Sequence, residues 1–163
     1  MRRINIGLLG LGTVGTGVAR ILKENASVIS GKLGAEVVLK KIADRDIERD
    51  RGIKIDAGVL TTDAAGVIDD PDIAIVIELI GGTGAARDFM LRAIKNGKHV
   101  VTANKALLST HGREIFEAAS REGVDIGFEA SVGGGIPIIK AMREGLAANR
   151  IDSIYGIING TSN

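Results

Sequence analysis

Cysteine and tryptophan are absent, and the aromatic residues are three phenylalanines and one tyrosine. Without cysteine there is no disulfide scaffold and no thiolate-held metal. Any mechanism passing through a covalent thiohemiacetal is also excluded, and with it the dehydrogenases that oxidise aldehydes through a cysteine. With few rings to stack on a base and a formal net charge of only +1, electrostatic capture of nucleic acid has no support, and a small-molecule partner is expected instead. No run is long and apolar enough to span a bilayer, so no membrane partner is expected. The apolar stretch behind Arg2 and Arg3 superficially resembles a signal peptide, but Gly7, Gly10, Gly12 and Gly15 interrupt it. A soluble, cytoplasmic protein is the expectation.

What the chain has in abundance is aliphatic. Hydrophobic residues make up 45% of it, so the core must be built from Ile, Val, Leu and Ala, which suits strands buried on both faces. Ile4 to Leu9 reads as such a strand, ending at glycine. Val14, Val18, Ile21 and Leu22 then share one helical face, followed by a loop around Gly31 and Gly34 and a second strand over Glu36 to Ala43. Asp46 to Thr62 is polar and patternless apart from a short strand at Val59 to Thr61. Beyond Pro71 comes the most hydrophobic run, Ile73 to Leu79, expected to be a central strand.

Ala86, Phe89, Met90, Ala93 and Ile94 keep helical spacing, with Gly97 where a left-handed cap belongs, and a strand is predicted at His99 to Thr102. Ile115, Phe116 and Ala119 mark a further helix closed by Gly123, before a strand at Asp125 to Phe128. Pro137 is placed as the first residue of a helix to about Leu146, and Ile151 to Ile158 reads as a strand outside the repeating pattern. Strand and helix alternating with short connections predict a Rossmann-type, doubly wound α/β fold with a mostly parallel sheet.

Gly10-Leu11-Gly12-Thr13-Val14-Gly15 is a complete G-x-G-x-x-G between the first strand and the first helix. Each glycine has a separate task there. Gly10 permits the tight turn, Gly12 lets a pyrophosphate approach the backbone, and Gly15 lets the helix pack on the strand, while the helix N-terminus presents N–H groups to phosphate. Asp44 at the tip of the second strand suits the ribose diol of NAD. Arg45 beside it suits the 2′-phosphate of NADP, so the cofactor is read as NAD or NADP. Gly81, after the central strand, is a further candidate cofactor contact.

Three later stretches carry more specific information. Val100-Val101-Thr102-Ala103-Asn104-Lys105-Ala106-Leu107-Leu108, Glu129 to Ile139 with its Val132-Gly133-Gly134-Gly135-Ile136-Pro137 core, and Asn159-Gly160-Thr161-Ser162-Asn163 resemble homoserine dehydrogenases in order and spacing. The one departure noticed is Ser162, where the family usually has threonine. The resemblance implies reversible reduction of L-aspartate 4-semialdehyde to L-homoserine with NAD(P)H, on the route to threonine, methionine and isoleucine. It further implies that Lys105 contacts cofactor and substrate and is needed for turnover. Read on its own residues, Lys105 follows a strand at the edge where such folds place ligands. An ammonium there could polarise an aldehyde oxygen, or it could be a plain solvated charge.

Glu129 to Gly135 reads as a phosphate nest, a cation site or a tight turn between domains. The resemblance implies a sodium ion held by Glu129, Val132, Gly134 and Ile136. It also divides the chain into an NAD(P)-binding domain over residues 1–130 and a connecting segment over 131–163 that begins a substrate and dimerisation domain. The expected chain is therefore a fragment that binds cofactor with little turnover, lacking the substrate domain as its partner and prone to form homo-oligomers. Two rivals remain at this point: another NAD(P)-dependent oxidoreductase, such as a sugar or aspartate dehydrogenase, and a noncatalytic dinucleotide-sensing module. His99 and His111 have no partner spacing that suggests a metal or a triad, and both read as structural or surface residues.

Overall fold

A computed structural model of the chain describes residues 1–157. Six strands, β1 (Arg2–Leu9), β2 (Ala35–Ala43), β3 (Leu60–Thr61), β4 (Ile73–Glu78), β5 (His99–Thr102) and β6 (Ile126–Gly127), form one sheet in the order β3-β2-β1-β4-β5-β6. Every neighbouring pair is parallel. Sequence order reverses between β1 and β4, so the doubly wound expectation is met, and a crevice opens where connections leave the strand ends in opposite directions.

Alternation along the strands supplies two apolar layers. On one face Leu9, Val76 and Val100 pack under α3 (Ala64–Asp69), α4 (Gly84–Lys95) and α5 (Lys105–Glu122), whose Val67, Met90, Ala93, Leu107 and Ile115 are buried. Gly7 belongs to this face because a Cβ there would stand 2.6 Å from the Val67 side chain. On the other face Ile6, Leu8, Ile42 and Ile77 meet Ala19 of α1 (Thr13–Glu24), with Ile53, Ile55 and Val59 folded against them. That face is only half covered: on β5, His99 and Val101 alternate outward and are exposed.

Several expectations need correction. Ala26–Leu33 forms a helix, α2, which ends at Gly34 with φ 66°. Gly31 therefore lies inside a helix and not in a loop; glycine costs a helix only about 1 kcal/mol, and the left-handed Gly34 supplies the stop. The segment Asp46 to Thr62 is loop apart from β3, yet it supplies four apolar side chains to the second layer, Ile53, Ile55, Val59 and Leu60, too irregularly spaced to show a period. Pro137 precedes the last helix as its cap residue instead of opening it: α6 (Glu129–Val132) is followed by α7 (Ile138–Lys140), which runs on as a π-turn over Ala141–Gly145. The strand expected at Ile151 to Ile158 does not form over residues 151–157, which are exposed; Ile158 and the Asn159 to Asn163 stretch lie outside the described residues. A strand requires a neighbour to take its backbone hydrogen bonds, and none of the described strands offers one here. From Glu129 to residue 157 no residue is buried.

At the edge of the sheet where β4 begins, polar contacts replace apolar ones. Lys40 Nζ donates to Asp70 and Asp72 at 2.8 and 2.9 Å, and buried Lys98 donates to the carbonyls of Asp70 and Ile73. Burial pulls the Lys98 ammonium below its ordinary range. The hydrogen bond from Lys40 holds the Asp70 carboxyl below its usual value, as Arg92 does for Asp69 and Arg87 for Glu114. A carboxyl depressed in the folded state stabilises the fold above its ordinary value, 3.8 for aspartate. That contribution is lost as the pH falls through the lower folded value. Lys40→Met releases Asp70, so stability by denaturant titration should fall less steeply between pH 5 and pH 3 than in the parent chain. Equal slopes would contradict this assignment.

Candidate functional site

The C-terminal ends of the strands collect the predicted residues. Leu9 ends β1 in register with Ala43 of β2 and Glu78 of β4, and Glu78 stands beside Thr102 of β5. The glycine turn leaves β1, Asp44 follows β2, Gly81 follows β4, Lys105 follows β5 and Glu129 follows β6.

The glycine turn has the form its spacing implied. Gly10 has φ 94°, and a Cβ on it would meet the Leu79 carbonyl oxygen at 2.7 Å. Gly15 lies so close beneath that a Cβ would sit 2.0 Å from the Gly10 oxygen. Gly12, in contrast, has nothing within 4 Å of its absent side chain. It caps α1 without a side-chain bond, and no acidic residue occupies the first turn. The N–H groups of Thr13 and Val14 therefore have no intrahelical partner and face outward with the positive end of the helix dipole. A cleft of about 650 Å³ opens there, lined by Gly10, Gly12, Asp44, Arg45, Gly81 and Gly82. A second, of about 700 Å³, lies beyond Val14 against Val101, Thr102, Ala103 and Glu129, and Leu79 borders both.

Asp44 does not pair with Arg45, which is exposed. Its Oδ2 accepts from the Leu11 N–H at 2.5 Å, while its Oδ1 accepts from Asp46 N–H and from Arg51 at 2.9 Å. Arg51, with a side chain only 9% exposed, also donates to the carbonyls of Leu11 and Asp46. Asp44 thus ties the glycine turn to the loop after β2. Sequence reasoning missed Arg51 because an arginine in a polar, patternless stretch carries no signal.

Lys105 is the first residue of α5. Its helix is capped by Asn104, whose Oδ1 accepts from Leu107 N–H at 3.1 Å. The ammonium is exposed and makes no hydrogen bond or ion pair among the described residues, so it is free to meet a ligand. Glu129 is engaged: its two carboxylate oxygens accept from the N–H groups of Ile139 and Lys140 at 2.8 and 2.9 Å, clamping α7 to the end of β6. Ile136, from the same predicted cation set, gives its carbonyl to Ile138 N–H, while Val132 and Gly134 are exposed. No cluster of three or more His, Asp or Glu side chains able to hold a metal occurs among the described residues. His99 Nδ1 accepts from Asp125 N–H and joins β5 to the start of β6, a structural role. Two further polar residues escaped the sequence reading, Glu78 and Thr102. An acidic residue closing the most apolar run of the chain was the available signal for Glu78.

A parallel sheet in this order, with a glycine turn and an open helix N-terminus at its switch point, defines a dinucleotide-binding α/β domain. Residues 10–129 match the family model described as the NAD binding domain of homoserine dehydrogenase. The homoserine dehydrogenase of Neisseria gonorrhoeae is 53% identical over the whole chain, which spans 37% of that protein. A crystal structure of the Thiobacillus denitrificans homoserine dehydrogenase superposes with a TM-score of 0.91 at 53% identity, covering 100% of this chain and 38% of that one. A hyperthermophilic archaeal homoserine dehydrogenase in complex with NADPH superposes at 0.72 with 25% identity, covering 90% of this chain and 50% of that one. The chain belongs to the homoserine dehydrogenase family, through its NAD-binding domain. It spans little more than a third of the length of the curated relatives it matches.

Gly12 and Gly15 make separable predictions. A Cβ on Gly12 meets no atom among the described residues, so the thermal midpoint of Gly12→Val should stay within a few degrees of the parent while dinucleotide binding is lost. Gly15→Ala drives a methyl group into backbone and should cost roughly 1–3 kcal/mol of stability. A Gly12→Val chain that binds dinucleotide like the parent would contradict this placement of the phosphates.

Proposed function

We propose that this chain supplies the cofactor-binding part of a homoserine dehydrogenase that reduces L-aspartate 4-semialdehyde reversibly to L-homoserine in a cytoplasmic amino-acid pathway. The observation that carries the reading is the unobstructed Gly12 at the head of α1, beside the β1–β4 switch point. There the free N–H groups of Thr13 and Val14 fit a pyrophosphate, and nothing among the described residues competes for them. Asp44, with Arg45 and Arg51 beside it, faces the adenosine ribose and accommodates NAD or NADP. Gly81 borders the turn toward the nicotinamide. When bound, NAD(P)H provides the hydride; the protein provides the binding and the electrostatics.

Lys105 is assigned the catalytic role. An unpaired ammonium at the first turn of α5 stabilises negative charge on the aldehyde oxygen of the substrate, where charge develops only as the reaction proceeds. Glu129 and the carbonyls of Val132, Gly134 and Ile136 form a hard-oxygen set suited to sodium. Each carboxylate oxygen of Glu129 keeps a lone pair beyond its bond to the backbone. Residues 1–130 are taken as the cofactor domain. The segment 131–163 is taken to lead into a substrate domain, which acts as its partner and joins the chain into homo-oligomers.

Calorimetry of this chain with millimolar NAD(H) or NADP(H) should give binding heat, and neither cofactor producing any heat or thermal shift would refute the cofactor role. Joined to, or mixed with, the substrate domain of a close homologue, the chain should reduce aspartate semialdehyde. Lys105→Ala should then lower turnover on the order of 10²- to 10⁴-fold with little change in adenosine-side affinity. Turnover within about twofold of the parent would leave Lys105 a solvated charge.

A further inference from the structure

Glu78 ends the central strand β4 and is fully buried, yet no lysine, arginine or histidine among the described residues pairs with it. A carboxyl group shut away from water is costly unless hydrogen bonds replace its hydration, and an aliphatic residue would fill the position at no such cost. Three bonds do replace it. Oε1 accepts from the N–H groups of Ile80 and Gly81 at 2.9 and 3.2 Å, and Oε2 accepts from the Thr102 hydroxyl at 2.7 Å.

These bonds belong to a closed ring. Thr102 Oγ1 accepts from Asn104 N–H at 3.0 Å, and Asn104 Nδ2 donates to the Gly82 carbonyl at 2.7 Å, so the path returns through Gly81 to Glu78. Asn104 is also the cap of α5, and the Thr102 carbonyl accepts from the Ser131 hydroxyl at 2.9 Å. The ring thus joins the Gly81-Gly82 turn, the helix start that carries Lys105, and the segment after β6. Gly81 and Gly82 have φ of 73° and 72°. Two adjacent glycines have little conformational preference of their own, so bonds from outside must hold the turn.

We propose that Glu78 is a positioning residue that holds the Gly81-Gly82 turn and the Lys105 end of α5 in one arrangement, on which capture of the nicotinamide-ribose half of the cofactor depends. This rests on the cofactor-binding reading above. Glu78→Gln keeps an acceptor toward Ile80 and Gly81. It presents an N–H to Thr102, however, whose hydroxyl then loses its acceptor and whose oxygen must serve two donors. The test compares a reduced dinucleotide with ADP-ribose (or its 2′-phosphate where NADPH is used), which lacks the nicotinamide, and follows the emission of the bound reduced ring.

Glu78→Gln should weaken dinucleotide binding roughly tenfold and abolish the emission change, with ADP-ribose affinity within about twofold of the parent. Thr102→Val should reproduce that pattern, and Thr102→Ser should restore the parent values. Equal weakening of both ligands would mark Glu78 as merely structural and overturn the proposal, as would parent-like binding of both. Should Glu78→Gln fail to fold by circular dichroism, Thr102→Val decides alone, since it keeps the carboxyl group and both amide bonds. A parent chain that binds neither ligand overturns the cofactor-binding reading itself, a result distinct from any of these.

Discussion

The seating of helix α1 on the end of β1 is the constraint from which the site follows. Gly15 touches the Gly10 carbonyl so closely that no side chain fits between them, and Gly10 itself presses on the backbone of Leu79. Those contacts place the helix N-terminus directly above the switch point of the sheet, where the connections leaving the paired ends of β1 and β4 run in opposite directions. The helix dipole and two unpartnered N–H groups then point into open space beside Gly12. An acidic residue in that first turn would supply the missing charge internally, and none is present. The preference for an anionic ligand is thus built into the backbone before any side chain is considered.

Side chains then fix what surrounds that point. On one flank Asp44 bonds the backbone of Leu11 and is itself held by Arg51, so the loop after β2 is tied to the glycine turn. On the other flank the turn after β4 is bonded to the start of α5 through Asn104. Asp44 and Asn104 sit just past the ends of parallel strands, because there the ladder stops and backbone groups need other partners. The lower edge of the sheet meets the same need with Lys40, Lys98 and Asp70, far from the crevice.

Elements whose apolar period is complete were legible in the sequence: β4 and β5 fall within a residue of their expected bounds, β1 begins two residues before its expected start, and the periodic residues Ala86 to Ile94 all lie within α4. The glycine turn was legible because each glycine answers a distinct steric demand. The α2 helix was hidden by Gly31, a residue that weakens a helix without forbidding one. The strand expected at Ile151 to Ile158 illustrates the opposite failure, since apolar and β-branched residues favour a strand only where a neighbouring strand exists. Arg51 and the Asn104 bond to Gly82 depend on contacts across 40 and 22 residues of chain, and no local pattern encodes them. The half-bare sheet face at Val101 was equally invisible, because exposure depends on which helices reach that side.

A dinucleotide must settle at the switch point of the sheet if the glycine turn is its phosphate site. A titration of the ¹⁵N-labelled chain with NAD(H) or NADP(H), followed amide by amide, addresses this directly. The largest shifts are predicted at Gly12, Thr13 and Val14, with a second group at Ile80 to Gly82 and smaller changes beside Asp44. Shifts centred instead on the α1–β2 groove around Ile53 to Asp56, with the glycine-turn amides unmoved, would contradict the placement of the cofactor at the switch point.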